Sequence, residues 1–417
     1  MVNLNHFILR TISIVVILTF FRVTVSCNDP IIQSIEPVAF ITTDSIPLKG
    51  VLILPQNEVK KIAILLTDVI YDVLYPEFSL INDTTSFDSK MVLKLVKENI
   101  GVFVIGRRES VIRGRSKLFM SQTIQTLADD TENALLYLKS RPEFKNTKIG
   151  IWGISETGCS AAIVASRNQN VAFLLLQSTP GTNGVVLQDF LSTPGNTGLN
   201  VQFYLALYSL MNTIVDNDVF YYDNERYNKE GFNEDGMSNL SACFWNSLCN
   251  INHTIIPKYQ HLDTVQYQAK RKFLQLWDGN VLADDSLHFP NMKIPGIQLV
   301  DTIIQHWYTY RNIEFIKWNP DQCYPQINCP VFFTFGEADT NINVSESIVN
   351  VRNIIRKYNK NKFTVKVYPK LNHFLEDENI AVSSGKKDKY ESISLGVPEI
   401  VYKDILLWFN GLSVNAF

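Results

Sequence analysis

The chain has little cysteine, no excess of charge of either sign, and no apolar run long enough to cross a bilayer. Six Cys among 417 residues is too few for a disulfide-held scaffold. The 38 basic and 41 acidic side chains leave a net charge of −3. That gives no electrostatic drive toward a phosphate backbone, so nucleic acid is not an expected partner. With 19 Gly and 16 Pro, collagen-like and low-complexity classes are excluded. Neither Cys-x-x-Cys nor His-Glu-x-x-His occurs, so no metal site is expected, and no organic cofactor is implied.

What is present is ordinary globular material, 46% hydrophobic and 12% aromatic, enough to bury a large core. The first 27 residues read as a separate object. Arg10 precedes the apolar run Thr11 to Phe21, too short for a membrane-spanning helix of ~20 residues. It fits a secretory signal cut near Ser26, with secreted or periplasmic delivery and no transmembrane segment afterwards. Cys27 offers lipid attachment as an alternative end, if the source is bacterial. In the exported chain, Cys243/Cys249 or Cys323/Cys329 could each close a small loop, and spacing does not choose the pairing. Asn82, Asn239, Asn252 and Asn343 lie in Asn-x-Ser/Thr sequences, which matter only in a host that glycosylates.

Past two β-like stretches, Val38 to Thr43 and Leu48 to Pro55, a strand–helix rhythm begins. Ile62 to Leu66 is a continuous apolar run and Gly101 to Gly106 another buried strand, as in parallel strands covered on both faces, and Lys148 to Ser155 reads as a strand running straight into a helix. Between them, Met91, Val92, Leu95 and Val96 have helical spacing, as do Leu127, Thr131, Ala134, Leu135 and Leu138. The rhythm stops at Thr179-Pro-Gly181 and resumes with Cys329 to Gly336, followed by a helix carrying Ile348, Val351, Ile355 and Tyr358, a strand over Phe363 to Val367, and a last helix opened by Pro398. The expected organisation is a signal over 1–27, an α/β core over 28–181 and 329–417, and an aromatic, largely helical lid inserted over 182–328. Such an insertion would lie over the C-terminal edge of a parallel sheet, where ligands bind.

Gly153-Ile-Ser155-Glu-Thr-Gly158 lies where a buried strand runs straight into a small-residue helix. That context suits a nucleophilic serine lifted above the sheet edge, with small residues where strand and helix approach. It also suits a serine capping the helix N-terminus. The later sequence separates these. A serine nucleophile on such a sheet takes its acid and then its histidine from loops farther along the chain. Asp339 follows the strand ending at Gly336, and His373 follows the next strand. His253, His261, His288 and His306 all fall in the insertion. Asp339 is preferred to Glu337 because it lies further into the loop.

The segments Tyr137-Leu-Lys-Ser-Arg-Pro-Glu143, Lys148-Ile-Gly-Ile151, Ser155-Glu156, Val171 to Leu176, Cys329 to Asp339, Phe363 to Val367 and Leu371-Asn-His373 together resemble the α/β-hydrolase carboxylesterases. The resemblance is to those related to the prolyl oligopeptidase-like and dienelactone hydrolase group, and it spans most of the chain outside the insertion. It implies an α/β-hydrolase fold, a mostly parallel sheet with helices on both faces. It also implies a catalytic triad of Ser155, Asp339 and His373. The backbone N–H groups of Glu156 and Val69 would form the oxyanion hole. Ile154 stands where those relatives carry His, and Thr67-Asp-Val-Ile-Tyr71 where they carry a Gly-rich turn. An acidic Asp68 beside a developing oxyanion would call for a cation, and Arg107 or Arg108 is the candidate partner. The expected substrate is a small acyl ester. Two alternatives stay open: a short-peptide amidase using the same triad, and a binding protein with impaired chemistry.

Overall fold

The computed structural model describes residues 32–66, 87–108, 122–191, 249–277, 286–289, 292–295, 301, 304–305, 308–377 and 396–412. Residues 1–27 and Val69, with Asp68, Cys243 and much of the insertion, lie outside them. In chain order the elements are β1 (Ile32–Ile41), β2 (Pro47–Pro55), β3 (Lys61–Leu66), α1 (Phe87–Lys97), β4 (Ile100–Ile105), α2 (Ile124–Ser140), β5 (Lys148–Ile154), α3 (Glu156–Arg167), β6 (Leu174–Gln177) and α4 (Gly184–Leu191). They continue as α5 (Leu262–Trp277), a two-stranded ribbon of β7 (Ser286–Phe289) and β8 (Met292–Pro295), α6 (Tyr310–Ile316), α7 (Pro320–Cys323), β9 (Val331–Gly336), α8 (Val344–Lys357), β10 (Phe363–Tyr368) and α9 (Glu399–Gly411).

Eight strands form one sheet in the order β1-β2-β4-β3-β5-β6-β9-β10. β1 pairs antiparallel with β2, and β2 antiparallel with β4. Every other pairing is parallel. The apolar runs divide between the two faces with period two, as strands must. Ile62, Ile64 and Leu66 of β3 face one core with Leu135 and Leu138 of α2, Ala161 and Val164 of α3, and Val351 and Ile354 of α8. Ala63 and Leu65 face the other, with Met91, Val92, Leu95 and Val96 of α1 and Val401, Ile405 and Phe409 of α9. Each fully buried Ile or Leu adds ~1.5–3 kcal/mol relative to exposure, so a sheet covered on both sides is strongly favoured.

Several local expectations shift. Tyr358 is 43% exposed at the C-cap of α8, because the helix ends at Lys357 and Tyr358 no longer follows its apolar stripe. Cys323 and Cys329 are separate buried thiols, not a disulfide. Cys323 belongs to α7, and Cys329 directly precedes the strand β9. Trp318 and Tyr324, both in the aromatic stretch, are core residues: Tyr324 stacks edge-on between Trp318 and Phe333 at 5.9 and 5.3 Å. Asn252 is also buried, its Oδ1 accepting from the Tyr308 hydroxyl at 3.2 Å. Among the described residues, no helix is long and apolar enough to cross a membrane.

Candidate active site

Because β3, β4, β5, β6, β9 and β10 run parallel, their C-terminal ends share one edge, and the three predicted side chains leave that edge from separate strands. Ser155 directly follows β5 and has φ 53° and ψ −126°, a backbone region that a non-glycine residue occupies only at a cost. Its hydroxyl makes no hydrogen bond to the α3 N-terminus, which removes the capping reading. Instead Ser155 Oγ lies 2.9 Å from His373 Nε2. His373 Nδ1 lies 2.7 Å from Asp339 Oδ2. The other carboxylate oxygen of Asp339 accepts from the backbone N–H of Asn341 at 2.7 Å and of Ile342 at 3.1 Å. Asp339 and His373 are both 7% exposed, while Glu337 is exposed.

The turn at Ser155 requires missing side chains nearby. A Cβ on Gly153 would come within 2.6 Å of the Gly158 backbone, and one on Gly158 within 1.8 Å of Thr179 Oγ1. The close approach therefore runs between Gly153 and Gly158, one residue past the position where the sequence pattern places it. That leaves position 157 free to carry Thr. The Thr157 hydroxyl, fully buried, accepts from the Ile154 N–H at 2.9 Å and lies 2.7 Å from the carbonyls of both Leu66 and Ile154. It ties the end of β3 to the turn carrying Ser155.

The histidine loop is fixed as closely. A Cβ on Gly336 would meet the carbonyl oxygens of Asn372 and Leu371 at 2.2 and 2.3 Å, so the acid and histidine loops touch only because position 336 is glycine. The Asn372 side chain accepts from the N–H groups of Phe374 at 2.9 Å and Glu376 at 3.1 Å, closing the turn around His373. Sequence reading missed Thr157, Ser178 and Asn372. Each bonds a backbone group distant from its own motif or inside a loop, and no periodicity marks such positions.

A sheet in this strand order, with Ser155 on a strained strand-to-helix turn and the acid and histidine on later loops of one edge, decides the architecture. The fold is that of the α/β hydrolases. No protein-family model matches the chain, and no curated protein matches its sequence. Solved structures of similar course include DcsB in complex with a substrate analogue, at 12% identity over 92% of this chain and 100% of that one, with a TM-score of 0.46. The esterase Pf2001 of Pyrococcus furiosus is similar at 14% identity over 90% and 91%, TM-score 0.43. The α/β hydrolase GrgF of Penicillium sp. sh18 is similar at 14% identity over 91% and 99%, TM-score 0.45.

In this α/β hydrolase Asp68, the expected partner of Arg107 or Arg108, lies outside the described residues. The Arg108 guanidinium donates to Asp130 at 2.6 to 3.1 Å and to Asp44 at 2.6 and 3.1 Å. Asp130, two turns into α2, is fully buried and also accepts from Gln122 at 2.9 Å. Burial raises the Asp130 carboxyl above its usual range despite Arg108, whereas Arg108 and Thr42 lower that of solvent-facing Asp44. Glu156, which begins α3, is paired with Arg311 of α6. Burial alone would raise its pKa, but Arg311 and the nearby Arg107 outweigh that and hold it below the ordinary value. As the first residue of α3, Glu156 also carries a backbone N–H with no partner inside the helix, suited to an anion. Among the described residues, no group of three or more His, Cys, Asp and Glu side chains is arranged to hold a metal ion.

Proposed function

We propose that the protein is a serine hydrolase that cleaves a carboxylic ester through an acyl-enzyme. The observation that carries this reading is the continuous relay from Ser155 Oγ through both nitrogens of His373 to Asp339, at 2.9 and 2.7 Å. In it, His373 Nε2 takes the Ser155 proton as Oγ bonds to the acyl carbon. Asp339, accepting at Nδ1, holds the imidazole in the required tautomer and stabilises the imidazolium. The protonated His373 then gives its proton to the departing alcohol. Water, deprotonated at the same nitrogen, attacks the acyl carbon and releases Ser155 with the carboxylic acid. The negative carbonyl oxygen formed in each half would be stabilised by the Glu156 N–H and, from the segment after β3, the Val69 N–H, each such donor contributing ~10²–10³ in rate.

The aromatic insertion over 182–328 is proposed as a cap that shapes an apolar acyl pocket, and the Thr11 to Phe21 run supports export of the chain. The test is turnover of aryl esters of graded acyl length against an aminoacyl anilide, with Ser155→Ala as the control. Ester turnover that disappears in S155A is expected. Turnover of the anilide alone would transfer the same triad to a peptidase, and no turnover of either by folded protein would favour a binding protein.

A further inference from the structure

The Glu156 carboxylate poses a problem for the proposed chemistry. It belongs to the residue whose own N–H is assigned to the oxyanion, so an unbalanced negative charge there would oppose the charge that develops on the substrate. At short range and reduced dielectric such a repulsion is not screened as it would be in water. The balance comes from the insertion. Arg311 donates from Nε to Oε1 of Glu156 at 3.3 Å and from Nη2 to Oε2, a two-pronged grip that lysine cannot reproduce. The two side chains are only 21% and 18% exposed, which sets the pair apart from ordinary surface ion pairs.

The position of Arg311 is itself well determined. It is the second residue of α6, whose N-terminus is capped by the Thr309 hydroxyl. Ile313 and Ile316 of α6 are buried. A Cβ on Gly184 would come within 2.2 Å of the Phe315 carbonyl, so α4 packs directly on the α6 backbone. Just beyond α6, Trp318 donates to the Pro180 carbonyl at 3.2 Å and accepts at its own carbonyl from the Gly184 N–H at 2.9 Å. Pro180 itself lies in the loop after β6, beside the site.

We infer that Arg311 is a positioning residue for the ester-cleaving reaction, neutralising the Glu156 carboxylate beside the oxyanion and holding the first turn of α3 against α6. The inference rests on the serine-hydrolase reading. The charged groups acting on Glu156 are Arg311 from α6 and Arg107 from the segment after β4. With Arg311 removed, Arg107 alone is left to oppose burial, and the Glu156 carboxylate stays beside the oxyanion without its main counter-charge.

The experiment compares wild type, Arg311→Met, Arg311→Lys, Glu156→Gln and the double variant R311M/E156Q, using the best aryl ester. R311M is expected to lower kcat by roughly 10–100-fold with a small change in KM. R311K, which keeps charge but not the fork, should fall between it and wild type, and it supplies the comparison if R311M fails to fold. The decisive readout is rescue: in R311M/E156Q the charge is gone, and kcat should recover most of the loss. Wild-type kcat in folded R311M or R311K overturns the inference. So does a double variant as slow as R311M, because a purely mechanical clamp is not repaired by removing its other half. A wild type inert toward esters and toward a serine-directed phosphonate fails one step earlier, taking the hydrolase reading and this inference with it.

Discussion

The Ser178 hydroxyl donates a 2.6 Å hydrogen bond to the backbone carbonyl of His373, joining the loop after β6 to the loop that carries the imidazole. Ser178 is fully buried and has φ 46°, while its own N–H donates to Thr334 at 2.8 Å. Ser178→Ala therefore leaves a buried carbonyl unpaired, a cost of ~1–3 kcal/mol, and loosens the base. Thermal unfolding should register the first effect. Steady-state kinetics should register the second as a kcat loss approaching ~10²-fold with little change in KM, the penalty of a small misplacement of a catalytic group.

Thr157 makes a sharper distinction between shape and bonding. Thr157→Val keeps the volume but strips the partner from the Ile154 N–H and the Leu66 carbonyl, and Thr157→Ser keeps the hydroxyl but loses a methyl. T157V should lose ~1–3 kcal/mol of stability on denaturant unfolding and most of its turnover, because the segment beginning after Leu66 would carry the second oxyanion donor. T157S should stay close to wild type in turnover. The opposite ranking would mean that the methyl, rather than the hydroxyl, fixes the turn.

Arg108 and Asp130 form a buried pair, so removing one partner strands the other. Arg108→Met should cost ~3–5 kcal/mol, and R108M/D130N should recover much of it. The pH dependence has a definite sign. Burial already raises the Asp130 carboxyl above its unfolded value, and without Arg108 it rises further. A carboxyl whose folded pKa is raised binds its proton more readily when folded, so stability is gained as pH falls. The R108M deficit should shrink when urea unfolding is repeated at progressively lower pH.

Burial pushes the thiols of Cys323 and Cys329 up to about 12 each, from an ordinary value of 9.0. Thiolate, not thiol, reacts with alkylating agents. Native protein at pH 8 should therefore leave both unmodified by iodoacetamide, and unfolded protein should react at both. Their linkage also has a fixed direction: the contribution to stability is complete below about pH 9 and is lost as pH rises through about 12, because the unfolded chain releases these protons first.

Much of this arrangement was legible in the residues. Continuous apolar runs flanking helical stripes point to a parallel sheet, and loops at successive strand ends are brought to one edge by topology alone. That is why Ser155, Asp339 and His373, more than 180 residues apart at the closest Ser–acid pair, could be expected together. Pairings across the fold carried no such signal. Arg311 meets Glu156 only because α6 packs on α4, and Arg108 reaches Asp130 and Asp44 only through the folded arrangement of β1, β2 and α2. At position 157 the pattern asked for a small residue, but the backbone contact had moved to Gly158. The spacing of Cys323 and Cys329 suggested a loop closure, yet α7 holds one thiol and the approach to β9 the other.

The most direct test of the account is covalent. Wild-type protein incubated with a fluorophosphonate and mapped by peptide mass spectrometry should carry one phosphonyl adduct, on Ser155, formed far more slowly in His373→Ala. An adduct on another residue, or an unmodified Ser155 in fully folded protein, would contradict it.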